Sequence, residues 1–387
     1  MQVLSMLSLA SMALAAPAIT KRAEPAPVLA ARDTSKAIAG KYIIKMKNSA
    51  EITIAADTYK AQHRYSSDKF RGFAASLTEA DLNELRNHSD VEYIEQDQEV
   101  YLFDYTTQDP APWGISRISH EQKGVNTYIY DQSAGEGTCV YMIDTGIKVD
   151  HEEFEGRAEW VKNFTDDGND GDGAGHGTWT AGLVASRSYG VAKKAKVLAL
   201  KVFRDDGTTD GASIIAAMDY VVSDAPNRDC PAGKVANMSL GGGFSQASND
   251  AADAMVKAGV FTAVAAGNSN VDAKDTSPAS ASMVCTVAAS DENDAKADFS
   301  SFGDVVDIWA PGTNLESTSY EGGSTSASGT SGSSPIVAGI GAYLLALEGN
   351  IAADQLCDRI KELSKADVLS NVPEGTPNRL AFNGAPQ

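Results

Sequence analysis

Five short apolar runs set the architecture of the second half of the chain: CVYMI (139–143), KVLALKVF (196–203), KVANMSL (234–240), VFTAVAAG (260–267) and MVCTVAA (283–289). Near-continuous runs of this length suit strands covered on both faces, as in a parallel sheet. Helical segments lie between them. ASIIAAMDYVVSDA spans 212–225, and NDAADAMVKAG spans 249–259 with Gly259 as a C-terminal stop. The alternation makes this an α/β domain, a mainly parallel sheet flanked by helices. In open parallel sheets, functional residues gather at the carboxyl ends of strands.

The region before it has a different character. Residues 41–47 (KYIIKMK) alternate with a strand period, 78–88 (TEADLNELRNH) read as a short helix capped by Thr78, and 91–95 (VEYIE) are a second alternating strand. A small β-α-β unit of about 60 residues follows. Charge changes with it: residues 1–105 hold 12 Lys/Arg and 14 Asp/Glu, whereas 106–387 hold 20 and 38. A boundary near residue 105 fits both signals. The formal charge of −20 argues against a nucleic-acid partner bound through phosphates.

The first sixteen residues, MQVLSMLSLASMALAA, are apolar from Val3 onward, with small residues at Ala13 and Ala15. That is the h-region and cleavage pattern of a signal peptide, although the basic n-region is missing. About 14 apolar residues are too few to span a bilayer, and no later run reads as long enough. The Pro/Ala-rich stretch 17–32 reads as a linker. The chain is thus expected to be exported and soluble, without membrane association. Export makes Cys139, Cys230, Cys285 and Cys357 interpretable. Their wide spacing lacks any CxxC pair, so two disulfides fit better than zinc, with three pairings open.

Four short motifs carry candidate chemistry. Strand CVYMI runs into Asp144, an acid at a strand's carboxyl end or, equally, a turn cap. His176 sits between glycines in GAGHGTWTAG, the one histidine of five so placed at a helix start. Asn268 follows Gly267 at a strand end, where its amide NH₂ is placed to donate to a developing oxyanion or simply to form a turn. Ser331 lies in STSASGTSGSSPIVAG (324–339), where eight of sixteen residues are Ser or Thr. A helix led in by Pro335 would put Ser331 at its N-terminus, where free N–H groups favour negative charge. The stretch is not the G-x-S-x-G elbow of α/β-hydrolases, because position 333 is Ser.

The order Asp144, His176, Asn268, Ser331 is informative, since Asp, His, Ser is the order of the subtilisin family. The sequence resembles subtilisin-like serine proteases, and closely the fungal branch typified by proteinase K. The resemblance rests on VYMIDTGI, GHGTWTAG, NMSLGGGFS, AVAAGNSN and GTSGSSPIVAG and covers nearly all of 106–387. Residues 41–97, ending VEYIEQD, resemble the family's inhibitory propeptide, a small ferredoxin-like α+β domain.

The resemblance implies a secreted, autoprocessed serine endopeptidase with broad, apolar- or aromatic-leaning specificity. A vacuolar location is the alternative. In that reading Ser331 is the nucleophile, His176 its base, Asp144 the orienting acid, and Asn268 an oxyanion donor. Ser239, Leu240 and Gly241 would pair with an extended substrate, the segment around Gly207 would pair on the other side, and Ala265, Ala266 and Gly267 would line the specificity pocket. The implied disulfides are Cys139–Cys230 and Cys285–Cys357. Residues 1–16 would be the signal peptide, 17–105 an inhibitory propeptide whose tail occupies the cleft until cleavage near Tyr105–Thr106, and 106–387 the catalytic domain, acting as a monomer on proteins and peptides. No cofactor is required. A structural calcium is compatible with the family but not predicted, because Asn314 stands where relatives have a calcium-binding aspartate. Asn163 is the expected glycosylation site.

The chain also departs from the family near the triad. Trp179 replaces a histidine, Thr180 a Cys or Val, Gly332 a methionine, and Ile336 a histidine. These replacements motivate the rival expectation of a catalytically weakened homologue that binds peptide or serves as a surface protein. Near Gly211 a subsite tyrosine is missing, which implies a more open cleft.

Overall fold

The computed structural model describes residues 24–31, 37–50, 52–99, 104–349 and 351–387. The leader expected over 1–16 lies outside them, as do residues 17–23 and 32 of the linker. The chain divides into two compact units, residues 1–101 and 102–387.

The first unit runs β1 (Val28–Leu29), β2 (Ala37–Met46), α1 (Thr53–Thr58), β3 (His63–Ser66), β4 (Arg71–Ser76), α2 (Glu79–Arg86) and β5 (Val91–Gln98). Its sheet order is β1-β5-β2-β4-β3, with β2 antiparallel to both β4 and β5. Elements β2 to β5 make the βαββαβ ferredoxin-like arrangement. Helix α2 starts at a capping box in which Thr78 Oγ1 accepts from Asp81 N and the Asp81 carboxylate accepts from Thr78 N. Ile44, Phe73, Leu85, Val91 and Ile94 form its core. The β-α-β reading captures β2, α2 and β5. It omits β3 (HRYS), whose residues are exposed apart from a half-buried Tyr65 and give no apolar alternation.

The second unit continues with β6 (Tyr105–Gln108), α3 (Trp113–Arg117), β7 (Tyr128–Asp131), β8 (Thr138–Asp144), β9 (Ala158–Asn163), α4 (His176–Ala185), β10 (Lys196–Lys201), α5 (Gly211–Asp224), β11 (Gly233–Met238) and β12 (Gly242–Gly243). It goes on through α6 (Gln246–Lys257), β13 (Val260–Ala265), β14 (Thr276–Ser277), β15 (Cys285–Ser290), β16 (Ile308–Pro311), β17 (Leu315–Thr318) and β18 (Ser324–Ala327). The chain then forms α7 (Thr330–Glu348), α8 (Ala353–Leu363), β19 (Lys365–Ala366) and β20 (Arg379–Leu380). The main sheet has the order β19-β20-β16-β15-β13-β11-β8-β10-β9 and is parallel except for the β19–β20 edge.

Both faces of this sheet are covered, which is why its strands read as unbroken apolar runs. Alternate residues divide between two cores. Val140, Met142, Val197, Ala199, Phe261 and Ala263 pack with α4 and α7. Tyr141, Ile143, Leu198, Leu200 and Val264 pack with Met218 and Val221 of α5 and Met255 of α6. Helix α7 corrects one expectation. By length and composition (19 residues, mean hydropathy 1.3) it would span a bilayer, but 83% of that span is buried inside the unit. Small residues at Gly339, Gly341 and Ala342 let it lie close to the sheet, with Val191 against Gly339 and Phe261 against Gly341.

Two disulfides bind the periphery to the sheet. Cys139 of β8 joins Cys230 before β11, and Cys285 of β15 joins Cys357 of α8, closing loops of 91 and 72 residues. Cross-links of that span contribute about 2–4 kcal/mol by restricting the unfolded chain. Replacing Cys285 and Cys357 together by Ser is predicted to lower the thermal unfolding midpoint of the second unit by roughly 5–10 °C, read by differential scanning calorimetry.

Candidate active site

The strand order reverses beside β8: the chain moves through β9 and β10 on one side, then through β11, β13 and β15 on the other. The carboxyl ends of β8 and β11 therefore open onto a crevice, the usual place for a site in such sheets. Asp144 is the last residue of β8 and is 1% exposed. Its Oδ1 lies 2.7 Å from His176 Nδ1 and accepts from Thr145 N at 2.8 Å. Its Oδ2 accepts from Thr180 Oγ1 at 3.1 Å. Both carboxylate oxygens are thus fixed by directional bonds.

His176 opens α4. Its N-cap, Gly175, has φ +82°, a left-handed conformation that glycine adopts without strain. The cap has no side chain, so another residue must satisfy the free N–H groups of the first turn. Buried Asp172 does so, accepting from Gly175 N, Thr178 N and Thr178 Oγ1 at 2.7, 2.7 and 2.5 Å, and from Thr145 Oγ1 at 2.7 Å. Desolvation pulls the His176 pKa down. The charge and hydrogen bond of Asp144, with a further contribution from the Asp172 charge, outweigh it and hold the pKa above the ordinary histidine value.

Ser331 is the second residue of α7, which begins at Thr330. The helix thus starts ahead of Pro335, which lies inside it rather than leading it. Proline has no N–H to return to the carbonyl four residues earlier. That carbonyl belongs to Ser331, and Ser239 Oγ donates to it instead at 2.8 Å. Ser331 Oγ in turn donates to Ser239 O at 3.3 Å. Among the described residues no hydrogen bond joins Ser331 Oγ to His176. The neighbouring serines are committed elsewhere: Ser333 Oγ donates to Ala310 O and Pro311 O, and Ser334 Oγ donates to Asn237 Oδ1, both fully buried. Asn268 faces the same corner. Thr330 N and Oγ1 both donate to Asn268 Oδ1 at 2.8 Å, which orients the amide NH₂ away from them.

A cleft of about 480 Å³ adjoins this corner, lined by Ser239, Leu240, Gly241, Ala265, Gly267, Asn268 and Ser331. One expected lining residue, Ala266, and the expected pairing segment around Gly207 lie as follows. Ala266 is fully buried and packs with Trp309 and Leu380, because alternate residues at a strand end point to opposite sides. Gly207 sits in a tight turn at φ +80°, its N–H donating to Arg204 O, and is not part of the wall. Phe203, four residues earlier, lines the cleft instead. At Gly211 an added Cβ would meet open space.

Other sequence-singled residues fall into place. Asn163 is half-buried, and its Nδ2, the atom a glycan would take, donates to Asn169 O and Asp170 Oδ1. Asn237 is fully buried and bonded to Ser239 and Ser334. Asn314 supplies a neutral amide oxygen, which holds a hard cation less strongly than the carboxylate of an aspartate would. Among the described residues, the grouping of acidic, His or Cys atoms with metal-like spacing is Cys285, Asp307 and Cys357, whose sulfurs are consumed in a disulfide. Sequence reasoning missed Asp172 and the hydroxyl of Thr180. The first has a signal, an acid four residues before the histidine and ahead of a side-chain-free cap. The second reads in the sequence only as a lost thiol.

Residues 135–380 match the profile of the subtilase family, and residues 41–103 that of peptidase inhibitor I9. The chain belongs to the subtilase family. It is 50% identical to a cuticle-degrading protease of Metarhizium anisopliae, with both chains fully covered. It is 47% identical to proteinase R of Parengyodontium album over 98% of this chain and 97% of that one. A solved cold-adapted subtilisin-like serine proteinase superposes with TM-score 0.68 at 36% identity, covering 72% of this chain and all of the other. The chain is a serine endopeptidase of the proteinase K-like fungal branch with an inhibitor I9 propeptide, and subtilases need no cofactor for catalysis.

The pH dependence follows from the carboxylates around His176. A general base must be neutral to act, so with His176 in that role its raised pKa would move the acid limb of kcat/KM upward. The limb is predicted to have its midpoint above about 6.5, the ordinary histidine value. Asp172→Asn removes one of the two negative charges that raise it, so the midpoint should move down. A pH–rate profile of both enzymes on a soluble peptide substrate reads the shift.

Proposed function

We propose that Asp144, His176 and Ser331 are the catalytic triad of this subtilase. The observation that carries the reading is the 2.7 Å Asp144–His176 bond at the end of the switch-point strand, together with a serine at the head of α7 that lines the cleft. Ser331 Oγ attacks the scissile carbonyl carbon while His176 Nε2 takes its proton. Asp144 holds Nδ1–H and stabilises the imidazolium that forms. The carbonyl oxygen becomes an oxyanion and accepts from Asn268 Nδ2 and from Ser331 N–H, a first-turn donor with no helical partner. Collapse expels the amine, which takes the proton from His176. A water then repeats the sequence on the acyl-enzyme and frees Ser331.

The extended substrate lies along Ser239–Leu240–Gly241 as an added strand. Ala265 and Gly267 leave the cleft wide enough for apolar or aromatic side chains, which supports broad specificity. Residues 1–16 act as the signal peptide and 17–105 as the propeptide, which inhibits the enzyme until cleavage near Tyr105–Thr106. The mature enzyme over 106–387 works outside the cell as a monomer on protein and peptide substrates, free of membrane and nucleic acid. Asn163 is the glycosylation acceptor in this reading.

Ser331→Ala is predicted to abolish both propeptide release and casein hydrolysis, a loss of at least about 10⁴-fold in kcat. Retained processing in that variant, seen on a gel, would remove the nucleophile assignment. Asn268→Ala should cost about 10²–10³-fold in kcat with KM little changed, the size measured for an oxyanion donor in subtilisin.

A further inference from the structure

Two residues that depart from the family touch each other. Trp179 lies one turn beyond His176 on α4, and its indole sits 6.1 Å from the imidazole, tilted by 49°. It is 3% exposed, and its Nε1–H donates to Leu315 O at 3.0 Å. Its own carbonyl accepts from Ser317 Oγ at 2.8 Å, and the preceding carbonyl accepts from Thr318 Oγ1 at 2.7 Å. Trp179 is therefore fixed to strand β17 at its backbone and at the N–H of its five-membered ring, which leaves the opposite, benzo edge facing Gly332. Gly332 lies against that ring. A Cβ built on Gly332 would fall 2.8 Å from Trp179 Cη2, 2.6 Å from Leu315 Cδ1 and 3.5 Å from Leu183 Cδ1.

The glycine is not demanded by its backbone. Gly332 is the third residue of α7 and carries no left-handed φ, so any residue fits its conformation. Within a helix, glycine is less favourable than alanine. Space explains it: Leu315 Cδ1 is the end of a flexible side chain and can swing aside, whereas the indole is pinned by its N–H and cannot. The large residue at 179 and the missing side chain at 332 are one exchange of volume.

We propose that Trp179 and Gly332 are a matched pair of positioning residues that sets the spacing between the start of α4 and the start of α7, and so between His176 and Ser331. This rests on the reading of those two residues as base and nucleophile. Neither partner lines the cleft. The indole is a rigid spacer whose far edge fits the hole left by the glycine, one residue beyond Ser331. The tryptophan edge takes up the volume that the glycine leaves.

A double-mutant cycle tests the pair, using Gly332→Ala, Trp179→Phe and their combination in the full-length chain, allowed to mature. The phenyl ring of the Trp179→Phe variant lacks the outer edge and the N–H of the indole. Competent sites are counted by titration with a covalent serine-directed inhibitor, so kcat is per active site. Alanine alone should lower kcat about tenfold or more with KM little changed. In the Trp179→Phe background the same alanine should cost less than about twofold. Equal costs in both backgrounds, or a loss confined to KM or to the number of competent sites, would overturn the proposal. If Gly332→Ala fails to mature, recovery of maturation in the double variant supports the pairing, and failure to recover it refutes the pairing. A Ser331→Ala control that still cleaves substrate would instead refute the triad, independently of the cycle.

Discussion

The buried bond between Asp144 and His176 is the contact on which the rest of the catalytic unit converges. It joins the last residue of a central strand to the first residue of a helix, so neither partner can drift without moving a whole element. Its surroundings serve that geometry. Thr145 N and Thr180 Oγ1 fix the carboxylate, Gly175 permits the sharp entry into α4, and Asp172 satisfies the amides that a glycine cap leaves open. The same two carboxylates set the histidine's protonation range, so position and basicity come from one arrangement.

The serine side is organised by a different device. Helix α7 is the buried central helix of the unit, and its first turn is tied to two strand ends. Asn268 receives both donors of Thr330, and Ser239 supplies the hydrogen bond that Pro335 cannot give back to Ser331. A proline six residues into the helix thus frees a carbonyl for the crevice wall, and that wall is where an extended substrate would lie. In this first turn the N–H groups of Thr330 and Gly332 are taken by Asn268 Oδ1 and Gly329 O, which leaves the Ser331 N–H as the donor for a ligand.

Much of this is readable from the residues. The parallel sheet announces itself because both faces are covered and nearly every strand position is apolar. The order of the proposed triad emerges because each member lies at or next to the end of an element marked by glycine. What escapes is set by tertiary contact. Ala266 lies one residue from two wall residues yet turns into a separate core, and Gly207 closes a turn where an extended segment is expected. Strand β3, largely exposed, carries no apolar pattern. Trp179 and Gly332 lie 153 positions apart in sequence, so their exchange of volume is invisible until α4 and α7 are seen side by side. Singly, each looks like a loss. Placed together, they fill one space.

The central claim is that one serine in a serine-rich stretch is the nucleophile, because its hydroxyl faces the cleft while those of Ser333 and Ser334 are buried and committed elsewhere. Treating the mature enzyme with an organophosphonate and mapping the adduct by mass spectrometry tests it directly. The account predicts one adduct per chain, on Ser331, forming faster as pH rises through the titration of His176. Adducts spread over Ser328, Ser333 or Ser334, or a labelling rate that ignores that titration, would contradict it.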